Sequence, residues 1–150
     1  MGPGGAVLLV DEDPHTAGLL TASLREQGFD VEQGTPDSFP DALARAPFDA
    51  AVLNFHYERP DVLACCSSMR LLAPRMPVVV LSSPGPALVE ARRWQATTES
   101  ISAILEKPLR DERLYGVLRE LIAAVRMGEQ NRRLSAMVPS MPCGRRGSPS

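Results

Sequence analysis

A chain of 150 residues, 44% hydrophobic and 23% charged, has the size and balance of one globular domain that buries its own core. The net charge of −2 hides an asymmetry: every acidic residue lies at or before Glu129, while Arg132, Arg133, Arg145 and Arg146 follow it, so the body is acidic, which argues against nucleic-acid binding by the folded part. Three cysteines, two of them adjacent, make no disulfide framework, no apolar run approaches a membrane span and the N-terminus does not read as a signal peptide, so a cytoplasmic protein with reduced thiols and no membrane contact is expected.

Residues 6–10 are a continuous apolar run, as in a strand buried on both faces. The run stops at Asp11-Glu12-Asp13-Pro14, where Asp13 is placed to cap a helix starting at Pro14. Ala17, Leu20 and Leu24 mark the inner face of that helix and Gly28 its end. Residues 29–33 alternate like a short edge strand, and residues 37–46, bracketed by Pro36 and Pro47, read as a weak helix. A second buried run spans 50–55, and a helix over 61–72 carries Leu63, Cys66 and Met69 on one side. Pro77 introduces a third buried run at 78–81, a helix over 86–95 holds Trp94, and the last strand is predicted at 101–105. Asp111 opens the clearest helix, with Leu114, Val117, Leu118, Leu121, Ile122 and Val125 at steps of three and four. Its periodicity fades at Gly128; beyond a few further helical turns, the prolines and glycines from Pro139 onward predict a disordered basic tail. Five strands alternating with five helices predict an α/β fold with a parallel sheet covered on both faces.

Sites in such sheets form at the carboxyl ends of the strands. Those ends hold Asp11 and Glu12, then Asn54, then Ser82 and Ser83, then Lys107. Lys107 is the single lysine among sixteen basic residues, and lysine supplies a compact cation on a flexible stem where arginine supplies a planar fork. His15 and His56 stand alone and read as surface or loop residues, and Cys65 and Cys66 read as core or half-buried thiols.

Val10-Asp11-Glu12-Asp13-Pro14, the strand ending in Asn54, Ser82 and Lys107-Pro108 together resemble the receiver domain of bacterial response regulators, over about residues 5–127. The resemblance implies a flavodoxin-like five-stranded sheet in the order 2-1-3-4-5 and a cis peptide before Pro108. It also implies that Asp11 and Glu12 stand at the acidic metal pair, Asn54 at the phosphoacceptor, and Ser82 and Lys107 at the positions that contact the phosphoryl group. Three departures matter. The acceptor aspartate is Asn54, an uncharged and far poorer nucleophile, so no phosphorylation and only weak Mg²⁺ binding at most are expected. Ile104 occupies the switch position where receivers usually carry an aromatic ring. Pro84-Gly85-Pro86 stiffens the loop that would move.

The expectation is thus a degenerate pseudo-receiver over 5–127 with a helical extension and basic tail over 128–150, a single-domain response regulator that is not an enzyme and requires no cofactor. It is expected to act by binding proteins, signalling proteins or a histidine kinase among them, or a second copy of itself. The resemblance places the interaction surface on the last helix, its preceding strand and the helix of Trp94, with Leu114 and Arg119 as further contact residues. Lys107 is expected to pair with Asp11 or Glu12. Three alternatives stay open: a small-molecule or anion sensor using the vacated pocket, a phosphotransfer receiver with the acceptor displaced to Asp13 or Ser82, and a fragment of a longer polypeptide.

Overall fold

The three central strands form where the sequence runs apolar without a break, because a parallel strand flanked by helices on both sides meets no water, while the two edge strands mix polar residues with apolar ones. In the computed structural model, which describes residues 3–55, 62–98 and 100–137, these are β1 (Gly5–Asp11), β2 (Phe29–Gly34), β3 (Ala50–Asn54), β4 (Val78–Ser82) and β5 (Ala103–Glu106). All neighbouring pairs are parallel, in the order β2-β1-β3-β4-β5. The five helices are α1 (Pro14–Glu26), α2 (Phe39–Arg45), α3 (Val62–Leu72), α4 (Pro86–Thr97) and α5 (Asp111–Met137).

Alternation along the strands sorts the core into two layers. Val7, Leu9, Val52, Val79 and Leu81 pack with Leu24 of α1 and with Leu114, Leu118 and Ile122 of α5. Leu8, Val10, Leu53 and Val80 pack on the other face with Phe39, Cys66, Met69 and Ala91. Truncating one of the fully buried leucines, such as Leu9 or Leu53, would cost about 2–5 kcal/mol.

Local chemistry sets the element ends that position the site. Asp13 accepts from His15 N (3.2 Å) and from Thr16 Oγ1 (2.6 Å), so α1 starts directly after the β1 rim; such a cap contributes about 1 kcal/mol. Gly28, at φ +93°, lets the chain leave α1 and enter β2. Gly85 sits at φ +149° between two prolines, just before α4.

Several bounds differ from expectation. The turn in which Ser38 Oγ accepts from Thr35 N holds residues 35–38 out of α2, so that helix starts at Phe39. Residues 101 and 102 precede β5 rather than belong to it. Helix α5, by contrast, takes in the expected extension and runs through Gly128 to Met137, 27 residues in all, because neither Gly128 nor the polar residues after it present a proline to stop it. His56, the side chain of Leu63 and the tail from Val138 lie outside the described residues.

Candidate functional site

Sheet register brings the rim together. Asp11 is the Cα partner of Asn54, Asn54 that of Leu81, and Ser82 that of Glu106, which precedes Lys107. Backbone bonds from Phe55 N to Leu81 O (3.0 Å) and from Lys107 N to Ser82 O (2.8 Å) carry the pairing past the strand ends. Asp11, Asn54 and Ser82 are buried polar residues at 4%, 4% and 3% exposure, and the Lys107-Pro108 peptide is cis.

Asn54 Nδ2 donates to Asp11 Oδ2 at 3.0 Å. Asp11 Oδ1 accepts from Asp13 N at 2.9 Å. Both carboxylate oxygens of Asp11 therefore hold N–H donors. Asn54 Oδ1 is buried with no donor within reach, and an unsatisfied buried acceptor costs about 1–3 kcal/mol. Ser82 Oγ donates to the carbonyl of Ser83 (3.0 Å).

Lys107 does not meet the expectation of an ion pair with Asp11 or Glu12. Its Nζ donates to the carbonyl oxygen of Phe55 at 2.9 Å, and among the described residues no contact ion pair joins it to either carboxylate. Burial pulls the Lys107 ammonium below its ordinary pKa, and the negative charge of Asp11, felt at longer range, pulls it partly back.

A receiver-like rim implies a divalent cation, and these residues do not fit one. Mg²⁺ takes oxygen ligands in tight octahedral geometry. Here a side-chain NH₂ points at Asp11 where a ligand oxygen would be needed. Among the described residues no group of three His, Cys, Asp or Glu could hold a metal ion.

The residues expected at the interaction surface scatter. Leu114 is fully buried in the core between α5 and the sheet; it sits on the same stripe as Leu118 and Ile122, so it packs inward and offers nothing to a partner. Arg119 faces α1, where Nη2 donates to Gln27 O (3.3 Å) and Gln27 Oε1 (3.2 Å) and the guanidinium lies over the Phe29 and Tyr115 rings. Trp94 is half-buried against the opposite core layer, with its indole Nε1 buried and unpaired. Ile104 packs partly buried against that same layer.

Two features escaped sequence reasoning. The partner of Lys107 is a backbone carbonyl, which no residue type announces. A cleft of about 370 Å³ also opens between the start of α1 and the start of α5, lined by Thr16, Leu19, Asn54, Lys107 and Leu109 among others; the only hint of it is that Leu19, outside the inner stripe of α1, is apolar.

No family model matches the chain. It is 26% identical over 139 residues to the transcriptional regulatory protein GlrR of Escherichia coli K12, a match that covers 91% of this chain and 30% of that protein. QseF of Escherichia coli O157:H7, also a transcriptional regulatory protein, matches to the same extent. The chain thus spans only about a third of the length of these curated relatives. Among solved structures, a response regulator receiver protein from Sinorhizobium medicae superposes with a TM-score of 0.65 at 24% identity, over 80% of this chain and 95% of that one. NtrX from Brucella abortus superposes with a TM-score of 0.73 at 22% identity, over 92% of this chain and 32% of that one. This chain has the fold of a response-regulator receiver domain, and its amide-bearing rim is set in that fold.

Proposed function

We propose that the chain is a pseudo-receiver: a module of bacterial signalling that does not accept a phosphoryl group and acts by binding proteins. One observation carries the reading. The residue at the acceptor position is Asn54, and its amide is held by Asp11. A carboxylate oxygen brings a charge and a lone pair to phosphorus, whereas an amide lone pair is delocalised into the C–N bond. The amide also takes up the Asp11 oxygen that a cation would use, so Mg²⁺ binds weakly at most and no cofactor is needed. The chain carries out no catalysis of its own and works in the cytoplasm.

Displaced acceptors are poor candidates. Both carboxylate oxygens of Asp13 are engaged in capping α1, and the Ser82 hydroxyl is turned into the backbone. The partner surface is the face of α4, β5 and α5, where Val89 of α4 is 49% exposed and the exposed Arg92–Glu106 ion pair ties α4 to β5. Its occupant is a signalling protein, a histidine kinase or a second copy of the chain.

The test is incubation with a small-molecule phosphodonor and Mg²⁺, read by intact mass. The wild-type chain is expected to stay unmodified, and stoichiometric gain of one phosphoryl group would end this reading.

A further inference from the structure

The inward stripe of α5 runs out before the helix does. Leu114, Leu118 and Ile122 are buried and Val125 is half-buried, whereas every residue from Glu129 to Met137 is exposed. Arg126 reaches Asp49, just before β3. From that contact to Met137 the helix continues about 16 Å along its axis. A helical stretch this short is held in proteins by packing of an apolar face rather than by propensity. The exposed stretch has such a face. Met127, Leu134 and Met137 are 64%, 53% and 76% exposed. With Ala123 and Gln130 they fall at 123, 127, 130, 134 and 137, steps of four and three that keep one seam along a helix. The seam turns away from the stripe that packs on the sheet, so the body of the chain does not cover it.

The polar residues say what does cover it. Gln130 sits in the middle of the seam. A lone polar side chain there lowers stability but fixes alignment, and a carboxamide, donor and acceptor at once, is satisfied by an identical carboxamide opposite. A second copy, parallel and in register, offers one at that level. The flanks agree. Arg126 and Arg133 lie along one side of the seam, and Ala124 and Asn131 along the other. In a parallel pair each arginine flank meets the neutral flank of the other helix, with Arg126 beside Asn131. An antiparallel pair would set arginine against arginine and put Gln130 opposite Met127 or Leu134.

We propose that the projecting half of α5 pairs with the same segment of a second copy of this chain, parallel and in register, with Ala123, Met127, Leu134 and Met137 in the seam and Gln130 bonded to its counterpart across the two-fold axis. The proposal deepens the docking reading by naming a second copy as an occupant and by placing it beyond the face shared with α4 and β5. The two fail separately: a monomeric chain would leave the phosphodonor result untouched, and a phosphorylated chain would leave the pairing untouched.

Sedimentation equilibrium of the full chain over a micromolar concentration series tests it. A reversible monomer–dimer equilibrium is expected. Leu134→Glu, at an exposed position away from the core, is expected to weaken it at least about tenfold, and Gln130→Leu to tighten it at least about tenfold. Met127→Cys and Leu134→Cys, each made in a Cys143→Ser chain because Cys65 and Cys66 are buried, are both expected to form disulfide-linked dimers under mild oxidant, since a parallel pair sets each level against itself. A chain that stays monomeric across the series overturns the proposal and leaves the seam to a partner of another kind. So does association that Leu134→Glu or Gln130→Leu leaves unchanged. Cross-linking at one of the two levels and not the other marks an antiparallel pair and overturns it as well.

Discussion

The two ends of the sheet treat their polar groups differently. At the amino-terminal end, Asp49 Oδ2 accepts from Ala6 N at 2.7 Å and from Arg126 Nη2 at 3.4 Å, while Asp49 N donates to Ala6 O. Side chain and backbone are both used, and α5 is tied to the start of β1. At the carboxyl-terminal end, Asn54 Oδ1 has no donor, and Lys107 leans on a backbone carbonyl. A polar group kept unsatisfied in a buried place lowers stability. The amino-terminal end works as a fastening, while one of the two buried unpaired side-chain atoms found among the described residues, Asn54 Oδ1, lies at the end where sheets of this kind place their sites.

Asn54→Asp should produce the largest effect, because it breaks the carboxyl-terminal end at its centre. The donor to Asp11 becomes a second carboxylate where Nδ2 now sits 3.0 Å from Asp11 Oδ2. Two buried like charges disfavour joint ionisation and raise at least one pKa. Without divalent cation the variant is expected to lose roughly 3 kcal/mol at neutral pH, the scale of an uncompensated buried charge. The sign of its pH dependence follows: a carboxyl with a raised folded pKa binds more protons in the native state, so the variant should regain stability as pH falls. Mg²⁺ should also restore it, since the extra carboxylate supplies the missing oxygen ligand. Denaturant melts with and without Mg²⁺ check both outcomes. A variant as stable as wild type in the absence of cation would mean that the Asn54–Asp11 bond contributes nothing.

The strand ends were legible because a parallel strand buried on both faces reads as an unbroken apolar run, and the residue that ends each run falls on the rim. Asp11, Asn54 and Ser82 follow from that rule, and Lys107 stands one residue past the end of β5. The use made of them was less legible. Coulomb attraction favours a carboxylate partner for Lys107, yet the ammonium settles on Phe55 O, which no side-chain pattern encodes. Leu114 belongs to the apolar stripe that defines α5, so the helical period itself assigns it to the core; reading it as a contact residue set family habit above that period. Arg119 turns to α1 because Phe29 and Tyr115 offer ring faces there, a tertiary fact with no local signature.

Breaking the amino-terminal end should have a smaller effect. Asp49→Ala removes the acceptor of Ala6 N and the partner of Arg126, and is expected to cost about 1–2 kcal/mol in chemical denaturation. Asp49→Asn keeps an acceptor and loses only the charge on an exposed pair, so it should cost less than about 1 kcal/mol. Neither should alter the response to Mg²⁺. If either did, the two ends of the sheet would be coupled through β1 and β3, and their contrast would be one of degree only.

The smallest expected effect concerns Lys107 at alkaline pH. Its folded pKa lies below the ordinary value of 10.5 because burial disfavours the ammonium, with Asp11 opposing the change. In that window the unfolded chain binds more protons than the folded one, so unfolding free energy should rise with pH up to about the unfolded value near 10.4. Lys107→Met removes the titrating group and should flatten this part of the curve. Thermal melts of both chains from neutral pH to just below the unfolded value check it, with the difference between the two curves cancelling the other titrating groups. Parallel curves would mean that the ammonium is solvated as well in the folded chain as in the unfolded one, and the cost of burial at the carboxyl-terminal end would then fall on Asn54 Oδ1 and not on Lys107.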